Sequence, residues 1–424
     1  MKILVLGAGV VGISTAYYLA REGHDVEVVE RHSGAAMETS FGNAGGLCPS
    51  FAAPWAAPGM PIKVLRMAFQ ADAPVRFSLW PEVARLRWTY QWLKECNASR
   101  FRVNKLRMQR VAHYSLACLR ELTAETGVAF DFHAGGVLQL FQTGAECRYG
   151  DIAASALKEL GIHHNVLDRH GAIAVEPALR DATINIEGAL HLPSDASGDS
   201  HVFCQAMTAW LQNQGVRFRF GTGVRCLLRE GGRIVGVDTS AGVLKADATV
   251  VAMGNQAPAL VAPLGIKLPV YPLKGFSITL PVTNGEQAPN MSVMDEHNKV
   301  MVSRLGNRIR AAGMAELVGH DLSLDPGRKA VLIRAVRRMF PHGIDYENAQ
   351  FWAGLRPMTP DGPPILGRSG WDGLFLNSGH GSNGWTQACG TSRVVTDIVC
   401  GRRPEIDLEG LTIDRFRKQR IVSP

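Results

Sequence analysis

The chain has 424 residues, which exceeds one ordinary domain and predicts two or three folding units. Hydrophobic residues account for 46% and charged residues for 20%, which are proportions typical of a globular protein with a full core. The net charge of +7 comes from 45 basic and 38 acidic residues that are interspersed, so the composition argues against a nucleic-acid-binding protein, which concentrates its positive charge.

Eight cysteines are present, and no two have the C-x-x-C spacing of a zinc or redox site. Their density is too low for a disulfide scaffold, so we expect reduced thiols, a cytoplasmic protein and no metal. The uncharged run at residues 3–20 could be read as a membrane anchor or a signal peptide, but glycines at 7, 9 and 12 interrupt it. We therefore predict a buried strand, a turn and a buried helix here, and at most peripheral contact with the inner face of a membrane.

A dinucleotide-binding unit is predicted at the start of the chain. Residues 2–6 are apolar after Lys2, as in a parallel strand covered on both faces, and residues 12–22 have helical spacing that ends at Gly23. The sequence GAGVVG at 7–12 lies between them and matches G-x-G-x-x-G, which binds a pyrophosphate at a helix N-terminus. A second strand at 26–29 ends at Glu30, whose carboxylate can bind ribose hydroxyls. The predicted cofactor contacts of this unit, which alone does not decide between NAD and FAD, are Gly7, Gly9, Val10, Val11, Gly12, Glu30 and Arg31.

The rest of the chain combines glycine-rich and proline-rich stretches with predicted helices and strands. A glycine-rich stretch at 39–47 and a Pro/Ala-rich stretch at 49–61 mark an exit from the first unit. Helices are predicted within 79–126 and at 151–160, 201–214, 326–339 and 384–399. Strands are predicted at 136–141, 216–220, 224–229, 234–238, 248–252, 270–280, 299–304 and 308–313, whereas turns are expected over most of the C-terminal region. This pattern predicts a discontinuous cofactor domain at 1–48, 145–262 and 346–424, interrupted by a substrate domain at 49–144 and 263–345.

Three further segments carry a family resemblance. The sequences ETSFGNAG at 38–45, FWAGLRPMTPDG at 351–362 and NSGHGSNGW at 377–385 resemble segments of the D-amino acid oxidase superfamily of FAD-dependent oxidoreductases. The similarity extends over nearly the whole chain and is greatest to the bacterial D-amino acid dehydrogenase group. It implies the α/β class: a Rossmann-like FAD-binding domain with a second, mixed antiparallel-sheet α+β substrate domain.

The resemblance also implies a reaction. We expect the C–N bond of a small amino acid to be oxidised by hydride transfer to flavin, and the resulting imine to hydrolyse to an oxo acid. The expected electron acceptor is a quinone or oxygen, and the interspersed charges lead us to expect no nucleic-acid partner. The alternative is an oxidase of a secondary or achiral amino acid, of the sarcosine, glycine or iminodiacetate type, that releases hydrogen peroxide.

Further cofactor contacts follow from the resemblance and from the glycine-rich loop before the helix at 384–399. Free N–H groups and the dipole at the start of that helix stabilise negative charge on the flavin edge. The predicted contacts are Ser40, Asn43, Ala44, Gly45, Leu47, Val224, Gly254, Gly379, Gly381, Ser382, Asn383, Gly384 and Trp385.

Arg356 is the predicted substrate ligand, because the arginine of this Gly-Leu-Arg-Pro segment binds the substrate carboxylate in related oxidases. A guanidinium suits that task, since its planar fork binds a carboxylate at two points. His380 is predicted either to contact the flavin or to pack within its loop, and Tyr271 either to line the pocket or to serve the fold. Asn298 lies, after His297, where many relatives have a tyrosine that shares the carboxylate, so it completes the predicted catalytic set.

Overall fold

The protein is described by a computed structural model that covers residues 1–67, 75–77, 82–159 and 161–417. Its strands are β1 Lys2–Leu6, β2 Asp25–Val29, β3 Gly46–Leu47, β4 Val75–Phe77, β5 Val137–Phe141, β6 Asn165–Leu167, β7 Gly188–Leu192, β8 Ala196–Ser197, β9 Arg217–Arg219, β10 Val224–Glu230, β11 Arg233–Thr239, β12 Gly242–Lys245, β13 Ala248–Val251, β14 Tyr271–Pro281, β15 Ser292–Asp295, β16 Val300–Leu305, β17 Arg308–Leu317, β18 Gln350–Met358, β19 Ile365–Arg368 and β20 Leu374–Ser378. Its α-helices are α1 Val10–Arg21, α2 Met60–Met67, α3 Val83–Glu95, α4 Ala98–Thr126, α5 Gly144–Glu159, α6 Arg169–Val175, α7 Ser200–Asn213, α8 Ala257–Val261, α9 Pro326–Met339 and α10 Gly384–Val399.

A six-stranded sheet forms the cofactor half of the molecule. Its order is β19-β20-β13-β1-β2-β9, and only the edge strand β19 pairs antiparallel with its neighbour among the described strands. Strand β1 is buried from Ile3 to Leu6, which explains why its sequence contains no polar residue after Lys2. Helices α1, α7 and α10 pack together on this sheet around a shared apolar core. The predicted strand–turn–helix–strand unit and the Rossmann-like class are thereby confirmed.

A nine-stranded, mainly antiparallel sheet forms the other half. Its strands run in the order β18-β14-β17-β16-β15-β5-β7-β6, and β4 pairs with β17. The expectation of turns over most of the C-terminal region is wrong, because β18, β19 and β20 are strands there; the glycine and proline residues within β18 hide its strand character in the sequence. Strands β6, β7 and β18 belong to the nine-stranded sheet. The predicted domain boundaries assign the residues of β6 and β7 (within 145–262) and of β18 (within 346–424) to the cofactor domain. Those boundaries stay a prediction.

The two faces of the nine-stranded sheet differ in polarity. One face carries apolar side chains that pack with α9 into a second core, including Phe276, Val302 and Ile309. Because side chains alternate along a strand, the opposite face carries Ser277, Arg310 and their neighbours. Arg310 donates to the main-chain oxygens of residues 41 and 43, which shows that this polar face meets the cofactor half of the molecule.

Among the described residues, no helix combines the length and the apolar character that crossing a bilayer requires. Residue 160 and residues 79–81, which fall within predicted helical regions, lie outside the part of the chain that the structure describes.

Candidate active site

A cavity of about 370 Å³ opens where β1, β2 and β13 end. This is the place expected for a ligand in an open α/β sheet, outside the carboxyl ends of its parallel strands. Many of the residues predicted from sequence line it together: Gly7, Gly9, Val10, Val11, Glu30, Arg31, Ser40, Val224, Gly254, His380, Gly381 and Gly384. The cavity therefore runs from the end of β2 to the start of α10.

The three glycines of the first motif have separate tasks. Gly7 has φ +99, and a side chain there would meet the carbonyl oxygen of Ala252 at 2.7 Å. A Cβ at Gly12 would lie 1.9 Å from the carbonyl oxygen of Gly7, so Gly12 lets α1 pack against β1 without lining the cavity. At Gly9 the nearest protein atom to an added Cβ is Ser40 Oγ at 3.4 Å, so the space beside this glycine remains open for a ligand.

Glu30 is anchored at the end of β2. Its Oε2 accepts a hydrogen bond from the N–H of Ala8 (2.8 Å) and its Oε1 accepts one from the N–H of His32 (2.9 Å). Each carboxylate oxygen retains a lone pair for a hydroxyl donor in the cavity. Arg31 is engaged by Glu38, which also accepts a hydrogen bond from His32 at 2.8 Å. His32 and Glu38 line the cavity and were not predicted from the sequence.

The segment 40–47 is fixed by side-chain bonds. Ser40 Oγ accepts the N–H of Val10 (3.1 Å), and Asn43 Oδ1 accepts the N–H of Gly45 (2.8 Å). Leu47 is buried in the core, and its strand β3 pairs with β8. Of the residues predicted in this segment, Ser40 lines the cavity, whereas Asn43, Ala44, Gly45 and Leu47 are not among its lining residues.

The loop before α10 presents backbone rather than side chains. A 3₁₀ turn at Gly381–Asn383 leads directly into α10, whose first N–H groups lack partners within the helix. Gly381 and Gly384 line the cavity, but Gly379, Ser382 and Asn383 do not. Trp385 lies in the core and donates to the carbonyl oxygen of Gly198 at 2.9 Å.

His380 is buried at the wall of the cavity, and its Nε2 lies 3.0 Å from Thr391 Oγ1. Burial lowers the pKa of His380 to about 3, so the imidazole is neutral at physiological pH. A neutral ring beside the cavity adds hydrogen-bonding capacity without adding charge.

Arg356 lies on β18 and is not itself among the residues that line the cavity, whereas its neighbour Pro357 is. Its Nη1 donates to the carbonyl oxygen of Met314 at 2.9 Å and its Nη2 to that of Gly313 at 3.5 Å. Within the described residues it forms no salt bridge, and burial lowers its pKa to about 10, which leaves it positively charged. A partly buried cation held by neutral carbonyls lacks the counter-charge that such a group normally has.

Strand β18 is hydrogen-bonded to the cofactor half through Leu355, the residue that precedes Arg356. The carbonyl oxygen of Leu355 accepts two hydrogen bonds, from Thr39 Oγ1 and from Asn255 Nδ2, each at 2.6 Å. Thr39 belongs to the segment after β2, and Asn255 follows β13. The arginine is therefore positioned directly against the elements that surround the cavity.

Tyr271 and Asn298, which were predicted to be catalytic, lie elsewhere and do not line the cavity. The hydroxyl of Tyr271 donates to Glu82 at 2.8 Å, and burial raises its pKa to about 12. Asn298 donates to Asp295 at 2.6 Å in the turn between β15 and β16. The structure thus gives both side chains partners within the protein, and their catalytic roles stay predictions.

Three buried polar atoms support a ligand in the cavity. Within the described residues, Asn255 Oδ1, Asn377 Oδ1 and Ser378 Oγ have no hydrogen-bond partner, and all three residues line the cavity. Buried polar groups are normally paired, so these atoms fit a polar ligand such as FAD. Sequence analysis missed them, although Asn255 follows Gly254 at the end of a buried strand, where a cofactor contact is common.

Asp195 is a buried acid close to the segment 46–51. Its Oδ1 accepts a hydrogen bond from Ser50 Oγ at 2.8 Å, while its Oδ2 has no partner among the described residues. Burial raises the pKa of Asp195 to about 7. Between about pH 4 and pH 7, the folded protein thus keeps a proton on Asp195 that the unfolded chain, with an aspartate pKa of about 3.9, releases.

This proton predicts a pH-dependent stability. Because the pKa of Asp195 is higher in the folded state, its protonation adds to the free energy of unfolding. This contribution is complete below about pH 4 and is lost as the pH rises towards 7. We expect wild type to lose up to about 3 kcal/mol more than Asp195→Asn between pH 5 and pH 8, since asparagine stays neutral throughout. Denaturant titrations of both proteins at the two pH values measure this difference. Equal losses would mean that Asp195 is ionised in the folded state.

Comparison with known proteins agrees with the geometry. The model of the FAD dependent oxidoreductase family matches residues 2–398. A D-amino acid dehydrogenase of Methylobacterium nodulans is 49% identical over 421 residues, covering 99% of this chain and 100% of that protein. Among solved structures, glycine oxidase from Geobacillus kaustophilus matches with a TM-score of 0.75 at 22% identity, over 98% of this chain and 99% of the other. Iminodiacetate oxidase from Chelativorans sp. BNC1 matches with a TM-score of 0.72 at 23% identity, over 97% and 98%.

These matches confirm the resemblance, the predicted enzyme class and the predicted cofactor, FAD. The chain belongs to the FAD dependent oxidoreductase family.

Proposed function

We propose that the chain oxidises the C–N bond of small D-amino acids, as a dehydrogenase. Arg356 carries this proposal, because it is a positive charge without an acidic partner among the described residues, next to the cavity. A substrate carboxylate supplies the missing counter-charge and accepts the two-point hydrogen bonding that a guanidinium offers. The relative from Methylobacterium nodulans, a D-amino acid dehydrogenase, supports the choice of substrate.

The residues that would hold FAD are distributed along the cavity. Gly9 and Val10 would face the pyrophosphate, Glu30 the ribose hydroxyls, and Gly381 with Gly384 the flavin end. Bound there, FAD supplies an acceptor for the hydride of the substrate Cα–H. The protein's part is to fix the carboxylate at Arg356, so that this Cα–H has one orientation.

The proposed oxidation requires little acid–base catalysis from side chains of the protein. The acidic residues that line the cavity, Glu30 and Glu38, are already engaged by backbone N–H groups or by basic side chains. His380 is neutral and bonded to Thr391. We therefore infer that the amine binds in its neutral form, and that water hydrolyses the released imine to an oxo acid and ammonia.

A substrate screen tests the function. Purified protein with FAD is mixed without oxygen with a panel of D- and L-amino acids, glycine, sarcosine and iminodiacetate, and flavin absorbance is followed. We expect bleaching by small D-amino acids. Bleaching by the achiral or secondary amines alone would favour the oxidase alternative, and hydrogen peroxide released on admission of air would separate oxygen from a quinone as acceptor.

A quinone acceptor would require contact with a membrane surface, and α3 offers one. Val83, Leu86, Tyr90 and Leu93 share one side of this helix, and their exposed fractions are 83%, 60%, 60% and 47%. The exposed Arg87 and Lys94 lie beside them on the helix. An apolar stripe flanked by cations is suited to a surface of anionic lipid. We propose that α3 makes this peripheral contact.

Vesicle flotation measures that contact. We expect binding to phosphatidylglycerol vesicles, weaker binding to phosphatidylcholine, and release at high salt because the charges are screened. Leu86→Ser combined with Tyr90→Ser should abolish flotation, whereas Val243→Ser, an exposed valine on β12, should not. Flotation that survives the double substitution would place the contact on another surface.

A further inference from the structure

Two glycines lie opposite each other on the polar face of the nine-stranded sheet. Gly275 on β14 pairs directly with Gly354 on β18, and both are buried. Side chains at directly paired positions point to the same face, with Cβ atoms about 4.5–5.5 Å apart. The missing side chains therefore leave a shallow floor across two strands.

Two large side chains fill this floor from different directions. A Cβ at Gly275 would lie 2.4 Å from Arg356 Nη2 and 2.7 Å from its Cζ, so the guanidinium lies over Gly275. A Cβ at Gly354 would lie 1.9 Å from Trp352 Cη2, so the indole lies over Gly354. Because the two glycines are direct neighbours, the end of the indole and the guanidinium lie side by side.

An irregularity in the pairing of β14 with β17 explains the position of the Arg356 guanidinium. Pairing between β14 and β17 shifts register between Lys274 and Phe276, and Met314 has φ +63. The carbonyl oxygens of Gly313 and Met314 accept the guanidinium at this irregularity. Arg356 thus reaches across β14 and ends at a defined point.

The indole is supported from the cofactor side as well. A Cβ at Gly42 would lie 2.1 Å from Trp352 Cε3, so the ring also rests on the segment after β2 that precedes Asn43. Both Trp352 and Arg356 are partly exposed, so a small molecule can reach them. Trp352 therefore lies between the segment that contains Gly42 and the guanidinium of Arg356.

We propose that Trp352 is a specificity-determining residue, which forms the wall against which the substrate side chain packs and which limits its size. The proposal rests on the carboxylate-binding role of Arg356, since a molecule held there must place its remaining atoms beside the indole. A ring seated over Gly354 occupies space that a longer or branched side chain would need. The enzyme therefore prefers short substrates.

The test uses FAD-loaded wild type, Trp352→Ala and Trp352→Phe. Acetate, butanoate and hexanoate are titrated into each protein, and binding is read from the flavin absorption spectrum. We expect Trp352→Ala to raise the hexanoate-to-acetate affinity ratio by about ten-fold or more, and Trp352→Phe to raise it less, because a phenyl ring fills part of the space. The ratio of kcat/KM for D-phenylalanine over D-alanine should rise in parallel.

Two further variants exclude a general effect. Gly354→Ala should shift the ratio in its own right, because a methyl group there displaces the indole. Trp371→Ala, in the turn between β19 and β20, should leave the ratio at the wild-type value. FAD absorbance per protein checks that each variant is folded.

The outcomes are distinct. An unchanged affinity ratio in both Trp352→Ala and Gly354→Ala, with normal FAD content, would overturn the proposal. If no D-amino acid bleaches the wild-type flavin, the proposed function fails, whereas the carboxylate titration still decides whether Trp352 forms the wall.

Discussion

We expect Arg356→Lys to lower kcat/KM for the best amino acid by about thirty-fold to several thousand-fold, which corresponds to about 2–5 kcal/mol for a lost two-point charge pair. Lysine keeps the charge but loses the fork, and it cannot donate to both carbonyl oxygens that hold Arg356 while also binding a carboxylate at two points. Arg356→Ala should lose at least as much. The measurement is anaerobic flavin reduction over a range of substrate concentrations.

FAD content should stay at the wild-type value in both variants, because Arg356 is assigned to the substrate. Arg368→Lys, an exposed arginine on β19, is the matched control and should reduce at the wild-type rate. If Arg356→Lys and Arg356→Ala both reduce at wild-type rates and saturate at the same concentration, the carboxylate binds elsewhere and the assignment is wrong.

Gly9→Ala and Gly12→Ala should both abolish FAD binding at micromolar cofactor, for different reasons. At Gly12 the new Cβ would lie 1.9 Å from the carbonyl oxygen of Gly7, so α1 must move away from β1 and the protein loses stability. Overpacking of this kind costs about 1–3 kcal/mol or more. At Gly9 the protein itself has room, so the new methyl group meets the ligand and leaves the fold intact.

Thermal unfolding without added FAD separates the two cases. We expect a lower Tm for Gly12→Ala and a wild-type Tm for Gly9→Ala, together with loss of flavin absorbance after gel filtration in both. Gly232→Ala, at an exposed glycine between β10 and β11 that does not line the cavity and has no atom within 4 Å of the added Cβ, should retain FAD. Retention of FAD by Gly9→Ala would show that the pyrophosphate does not approach this residue.

The local signals in the sequence predict the cofactor half well. The glycine motif, the apolar strand before it and Glu30 after the second strand all depend on neighbouring residues, and the structure brings them to one cavity. Helix α10 is likewise predicted with its observed bounds, because helical spacing and flanking glycines mark both ends.

The substrate side is harder to predict because it depends on pairing between distant strands. Nothing near Gly275 in the sequence indicates that its missing side chain makes room for Arg356, which lies far along the chain. The partners of Tyr271 and Asn298, Glu82 and Asp295, likewise become visible only in the fold. Resemblance identified Arg356, but the bulge at Met314 that holds it has no signature in the sequence.

The double hydrogen bond to Leu355 offers a physical connection through which cofactor binding and substrate binding would be thermodynamically linked. Thr39 and Asn255 both belong to the walls of the cofactor cavity, and both hold the strand that carries Arg356. If occupancy of the cavity orders these two donors, it also orders the guanidinium, and a carboxylate bound at Arg356 must stabilise the bound cofactor by the same free energy. A substrate analogue would then slow the loss of FAD from the protein, although the two ligands need share no contact residue.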